Sequence, residues 1–232
     1  MISASMPYQM ALDEILFRPQ SFQMDPDCQK WLEVLRRQPS IRFYASDSPW
    51  ITVGYSTPEE TFASDSYPVC RRITGGGKVY HINDLVISLC GGRGQDESFK
   101  SVRLSYLKIH EAVKKGFEIL GYHANFYRCN EALPKGNDCF LFPIATDLSL
   151  SGRKIAGGAQ KRSIGYFLHQ ESVAIPEGKE FFEVHDVMQR GFKEIFEMNC
   201  QMNCPPPELL RLAETVAENN YPAINTKSEM AK

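Results

Sequence analysis

The chain has 232 residues, a formal charge of −2, and 43% hydrophobic, 23% charged and 11% aromatic residues, enough for one packed core and unlike disordered or fibrous sequences. With basic and acidic residues nearly balanced, there is no global positive field to hold nucleic acid. No apolar run approaches the roughly 20 residues of a membrane span, and "MISASMPYQMALDE" lacks the basic start and apolar core of a secretory signal, so a cytoplasmic protein without nucleic-acid or membrane partners is expected.

Seven cysteines, at positions 28, 70, 90, 129, 139, 200 and 204, are odd in number and show no paired C-x-x-C spacing. That argues against a disulfide framework and a structural zinc, so reduced thiols and no metal site are expected.

In chain order, the first predicted helix is Tyr8 to Phe17, behind Pro7. The β-rich runs Ile41 to Tyr44 and Trp50 to Tyr55 flank Ser-Asp-Ser-Pro turn chemistry and read as a hairpin or two adjacent strands. After the glycines at 75–77, "KVYHINDLVISLCGG" is strand material ending at Gly91 and Gly92. Val102, Tyr106, Ile109, Val113, Phe117 and Leu120 recur at helical spacing, with Ser101 as N-cap and Gly121 as stop. Residues 144–150 alternate like a strand, Ser151-Gly152 turns the chain, and a return strand starts at Arg153. The following "GGAQKRSIG" reads as a loop, and "YFLHQESVAI" as a strand before Pro176. A second amphipathic helix carries Val184, Met188, Phe192, Ile195 and Phe196, and "PPPELLRLAETVAENN" forms a short terminal helix behind its prolines. The class is α+β, a mixed or antiparallel β-sheet flanked by helices.

Two segments carry candidate chemistry. Arg71 and Arg72 stand beside Gly75, Gly76 and Gly77, where paired guanidinium donors and open backbone N–H groups suit an anion or a carbonyl oxygen. No Walker-type ending follows, and a glycine-rich turn beside a solvated arginine pair is the other reading. The second segment puts Lys154 two residues beyond a tight turn and before Gly157, Gly158 and Ala159, with nothing bulky to shield it. A solvated surface lysine is the alternative.

Together "RRITGGGKVYH" and "GRKIAGGAQKR" resemble the lipoate-protein ligase, octanoyl transferase and biotin ligase superfamily. "MALDEILF", "IRFYASDSPWITVGYS" and "SVRLSYLKIHEAVKKGFEILGYHA" follow the order of its lipoate and octanoate branch, so the resemblance spans most of the chain. It implies a biotin/lipoate ligase-like catalytic domain over residues 1–200 and a short helical extension over 201–232, with no large accessory domain. By this resemblance Arg71, Arg72, Gly75 to Gly77, His81 and Gly157 to Ala159 bind the acyl group or adenylate, and Lys154 contacts the acyl carbonyl. The transferred group is octanoate or lipoate, lodged in a narrow apolar tunnel. The acceptor is a lysine on a lipoyl domain of the 2-oxoacid dehydrogenase E2 or glycine cleavage H type.

In "DCFLFPIATDLSLSGRKIAGGAQ" the placement of Cys139 resembles the transferases that carry the acyl group as a cysteine thioester, with acyl-carrier protein as a donor. An ATP-dependent ligase acting through lipoyl-AMP, which alone would require ATP and Mg²⁺, is the alternative, and a catalytically silent lipoate- or carrier-binding relative is a third reading. The sequence departs from the family pattern at Lys78, at Ile82 and at Glu171, where glycine is expected.

Overall fold

The computed structural model describes residues 3–61, 66–127, 146–199 and 201–224. Its elements in chain order are β1 (Ser3–Ala4), α1 (Met6–Phe17), α2 (Pro26–Leu35), β2 (Ser40–Ser46), β3 (Trp50–Val53), β4 (Val69–Arg71), β5 (Val79–His81) and β6 (Asp84–Gly92). There follow α3 (Val102–Ile119), β7 (Asn125–Phe126), β8 (Leu148–Leu150), β9 (Arg153–Arg162), β10 (Tyr166–Ala174), α4 (Phe181–Ile195) and α5 (Pro207–Asn220).

The larger sheet runs β1-β2-β6-β10-β9-β8-β7, antiparallel except for the parallel pair β1–β2. Alternation along its strands sends Leu85, Ile87, Leu89, Phe167 and Val173 to one face, where α3 and α4 close a core with Val113, Phe117, Met188 and Phe192. Tyr44, Val86, Cys90 and Leu168 point to the other face, covered by α1 and α5. A smaller sheet, β4-β3-β5, stands apart. The architecture is the α+β arrangement of a mixed sheet flanked by helices, and no helix among the described residues is long and apolar enough to cross a membrane.

Helix α1 is buried on nearly every side, so its polar residues need partners. Asp13 is held by Arg42, by the Tyr44 hydroxyl at 2.8 Å and by the Gln170 amide at 2.7 Å. Glu14 accepts from the Tyr221 hydroxyl at 2.8 Å, which fastens the end of α5 to α1. The helix starts at Met6, ahead of the expected Tyr8, because Pro7 occupies the first turn, where its missing N–H is not needed. Ser101 caps α3 by accepting from the Leu104 N–H at 3.1 Å, and Gly121, at φ +88°, ends it in the left-handed region.

Two sequence expectations are corrected here. Strands β2 and β3 do not pair: β2 joins β6 in the large sheet while β3 joins β4 and β5 in the small one, so the Ser-Asp-Ser-Pro segment passes the chain between sheets. "GGAQKR" is strand rather than loop, since Ala156 to Arg162 pair in unbroken register with Val173 to Phe167. The turn comes later, at Gly165 with φ +82°.

Candidate active site

Between the large sheet, α1 and the small sheet lies a small pocket with about 380 Å³ of empty space, open solvent at its mouth included. Met10, Val79, Val86 and Ala159 give it apolar wall, while Gly157 and Gly158 bring bare backbone to it. Thr52, Arg72, His81, Gln170, Glu171 and Ser172 also border it, yet the surface it presents is mostly apolar, as expected for an acyl site, while Gly75 to Gly77 and Lys154, expected at its mouth, are not among its lining residues.

Most of these polar groups bind one another. His81 Nδ1 faces Asp84 Oδ2 at 2.8 Å and its Nε2 faces the Thr52 hydroxyl at 2.8 Å, while Ser172 donates to the same Asp84 oxygen at 2.6 Å. Both ring nitrogens of His81 are thereby occupied. Gln170 donates to Asp13 and accepts from Thr74 at 2.7 Å, tying α1, β10 and the glycine loop together.

The arginine pair is built into the scaffold. Buried Arg72 donates to the carbonyls of Gly75 at 2.7 Å and Gly77 at 2.8 Å and to Thr52 Oγ1 at 3.2 Å. Arg71 donates to the carbonyls of Gly54, Tyr55 and Thr57 at 2.6–3.2 Å. A Cβ at Gly54 would land on the Gly76 carbonyl, so the two loops touch through bare backbone. Of this sequence segment Arg72 lines the pocket; Arg71 and Gly75 to Gly77 shape the loop beside it.

Lys154 is where the sequence reading of a solvated lysine fails. Its Nζ lies 2.8 Å from Asp147 Oδ2, and the two side chains are only 5% and 3% exposed. Its direction comes from a slip in register. From Leu148 to Ser149 strand β8 advances one residue, while β9 goes from Ala156 back to Lys154 and leaves Ile155 as an extra residue. Ile155 and Ala156 both pack into the core under α3 and α4, so Lys154 emerges on the opposite side with Gly157. A Cβ at Gly157 would strike the Lys154 ammonium, which therefore lies over that glycine, itself part of the pocket lining.

Behind Gly158, on the α3 side, is a buried cluster that the sequence reading missed. His110 of α3 and His169 of β10 both direct Nε2 at Glu171 Oε2, at 3.0 and 2.7 Å, and all three side chains are fully buried. A Cβ at Gly158 would collide with Glu171 and His169, so glycine makes the room. His110 Nδ1 donates to the Thr146 carbonyl, which leaves Nε2 for the carboxylate. Burial works against charge on both groups. For His110 it is outweighed by the Glu171 charge and hydrogen bond with the Thr146 carbonyl, and the imidazole pKa rises; for Glu171 it is outweighed by the two imidazoles, which pull the carboxyl down to about 2. Burial lowers the pKa of His169, offset in part by Glu171.

The sign of the pH dependence follows. A raised His110 contributes stability below its ordinary 6.5 and loses it as pH rises through the folded value; a lowered Glu171 contributes above its ordinary 4.5 and loses it as pH falls towards 2. The pair is therefore fully effective between about 4.5 and 6.5. In chemical denaturation, the stability gap between the chain and Glu171→Gln is expected to be widest near pH 5 to 6 and to shrink at higher pH. A gap that widens with pH would exclude the ion pair.

The signals for these residues were short-range. His110 lies on the buried stripe of α3, four residues after Tyr106 and three before Val113, and His169 and Glu171 are two apart on one strand face. Among the departures, Ile82 is exposed, Lys78 lies over the Tyr80 ring and Glu171 belongs to this cluster. Of the cysteines, Cys28, Cys70 and Cys90 are buried and Cys204 is exposed, and burial pushes the Cys70 and Cys90 thiols up to about 12, far from reactivity at neutral pH. Cys139 lies outside the described residues.

A pocket on the central strands of the large sheet, a glycine loop held by two arginines and a buried lysine beside a bare strand make up the site. Residues 6–184 match the model of the lipoyl protein ligase A/B catalytic domain, and the chain belongs to that family. Among its relatives, octanoyltransferase LipM of Bacillus subtilis is 30% identical over 213 residues, covering 82% of this chain and 72% of that protein. LipM of Oceanobacillus iheyensis is 22% identical over 96% of this chain and 93% of its own length, and LipM of Bacillus cereus is 32% identical over 72% of this chain but 61% of its own length. The fold is shared with a putative lipoate protein ligase from T. acidophilum with bound lipoic acid, at TM-score 0.71 and 21% identity over 94% of this chain and 93% of that one. Lipoate-protein ligase A bound with ATP gives 0.69 and 20%, over 94% and 92%.

Proposed function

We propose that the chain is an acyltransferase that moves an octanoyl or lipoyl group onto a lysine of a lipoyl-domain acceptor protein. The observation that carries this is the Lys154 ammonium, steadied by Asp147 and laid over Gly157, which lines the pocket. A cation fixed beside an acyl carbonyl stabilises the negative charge that develops on oxygen when a nucleophile adds.

The route we favour runs through Cys139, supported by its spacing from Gly152 and by relatives named octanoyltransferases. The thiolate attacks the donor thioester and expels the carrier thiol, giving acyl-Cys139. The neutral amine of the acceptor lysine then attacks that thioester, the C–S bond breaks as the amide forms, and the departing Cys139 thiolate takes up the proton the amine loses. A ligase route would replace the carrier with ATP, Mg²⁺ and lipoate, forming lipoyl-AMP with release of pyrophosphate before the lysine amine displaces AMP.

The test incubates the chain with an apo-lipoyl domain, once with octanoyl-acyl-carrier protein and once with lipoate, ATP and Mg²⁺. Octanoyl-lysine in the first reaction alone is expected. Product in the second alone assigns the ligase route, and product in neither leaves a binding protein rather than an enzyme.

A further inference from the structure

The cluster behind Gly158 reaches Lys154 through the backbone. His110 Nδ1 meets the carbonyl of Thr146, the oxygen of the peptide that leads into Asp147, and Asp147 pairs with the Lys154 ammonium at 2.8 Å. The next carbonyl along the chain, that of Asp147 itself, accepts from the Tyr127 N–H at 2.7 Å. Peptide units are planar, so anchoring these two oxygens sets the direction in which the Asp147 side chain leaves the backbone.

Hydrogen-bond directions fix where the protons of the cluster lie. Arg162 donates to Gln160 Oε1 at 2.9 Å, so the Gln160 NH₂ faces His169 Nδ1 at 3.1 Å and makes that nitrogen an acceptor. His169 is then neutral, with its proton on Nε2 towards Glu171 Oε2. A metal shared by His110, His169 and Glu171, whose ligand-type atoms lie within 4.8 Å of one another, would need a bare lone pair at that nitrogen. His110 is placed differently. Both of its nitrogens face acceptors, the Thr146 carbonyl at Nδ1 and Glu171 Oε2 at Nε2, and a neutral imidazole has one N–H to give. The imidazolium alone satisfies both.

We propose that His110 is a positioning residue for Lys154, holding as an imidazolium the Thr146 peptide that aims Asp147 at the ammonium. This rests on the acyl-transfer reading and adds to it a residue on the face of the sheet away from the pocket. When His110 loses a proton, the one that remains stays on Nε2, because a carboxylate accepts more strongly than a carbonyl. The Nδ1 lone pair then confronts the Thr146 oxygen, and that anchor is lost. Glu171 and His169 of β10, Asp147 ahead of β8 and Tyr106 on α3 face the ring. Burial lowers the imidazole pKa, but the Glu171 charge and hydrogen bond, the Thr146 carbonyl and the Asp147 charge outweigh it. The anchor is therefore present at the ordinary value of 6.5 and fails as pH rises through the higher folded one.

The test combines ¹⁵N spectroscopy of the histidine rings in the full chain, with His110 assigned from its backbone, and the turnover of octanoyl transfer, both from about pH 6 to 9. At the acid end His110 is expected to be protonated on both nitrogens and His169 on Nε2 alone. His110→Asn keeps a donor at the place of Nδ1 that does not titrate, His110→Leu has none, and both lose the same charge. Turnover of the leucine variant is expected to be about tenfold or more below that of the asparagine variant, with similar KM for the carrier-bound acyl group. The ratio of wild-type to asparagine-variant turnover is expected to fall as His110 deprotonates. A neutral His110 at the acid end overturns the proposal, and that reading decides alone if the variants do not fold. Equal turnover in the two variants overturns it as well. If the wild-type chain makes no octanoyl-lysine, the acyl-transfer reading itself falls, and the proposal with it.

Discussion

Lys154→Ala is expected to lower acyl transfer by roughly 10²- to 10³-fold, the usual cost of removing a fixed donor from a developing oxyanion. It is also expected to destabilise the chain. The lysine and Asp147 are both almost wholly buried, and breaking such a pair by removing one member costs about 3–5 kcal/mol, because a buried charge then gives up an ionic contact. Adding Asp147→Asn to Lys154→Ala should restore much of the stability and none of the activity. Thermal melts and transfer assays on the single and double variants separate the two effects. Turnover near that of the wild type would remove Lys154 from the reaction, and an unchanged melting temperature in the single variant would contradict the buried pair.

Cys139→Ser should abolish octanoyl transfer, since an alcohol at neutral pH lacks the thiolate fraction that makes cysteine a nucleophile. Intact-mass measurement after incubation with octanoyl-acyl-carrier protein and no acceptor should show one added octanoyl group on the wild-type chain. Hydroxylamine should remove it, and the serine variant should not acquire it. The buried thiols at Cys70 and Cys90, raised by burial to about 12, offer no competing site of acylation. Full transfer by the serine variant with lipoate and ATP would exclude the thioester route and assign the ligase one.

What the sequence made legible was local. Ser101, Gly121 and the Ser151-Gly152 turn were readable because caps and turns depend on adjacent residues, and the structure puts Ser151 at φ 50° and Gly152 at φ 77°, as a two-residue hairpin turn requires. Of the residues in the family motifs, Arg72, Gly157 and Gly158 line the pocket and Lys154 lies over Gly157. Chemistry that depends on pairing was hidden. Arg71 and Arg72 looked like free anion binders, but in the structure they donate to carbonyls of loops whose approach no periodicity encodes. Gly157 and Gly158 looked like a loop because glycine usually marks one; here they serve close contact within a strand, with the ammonium over the first and the carboxylate beside the second. Glu171 and His110 are 61 residues apart, and only the packing of α3 on β10 joins them.

The extra residue in β9 bears on how this segment tolerates change. Side chains on a strand alternate, so in a regular β9 Lys154, two residues before Ala156, would share its face among the core side chains under α3. The bulge at Ile155 supplies the half-step that turns the ammonium to the pocket side instead. Exchanging Ile155 for another apolar residue keeps both the bulge and its core contact, whereas drawing the strand into an unbroken ladder with all its residues would send Lys154 to the wrong side of the sheet.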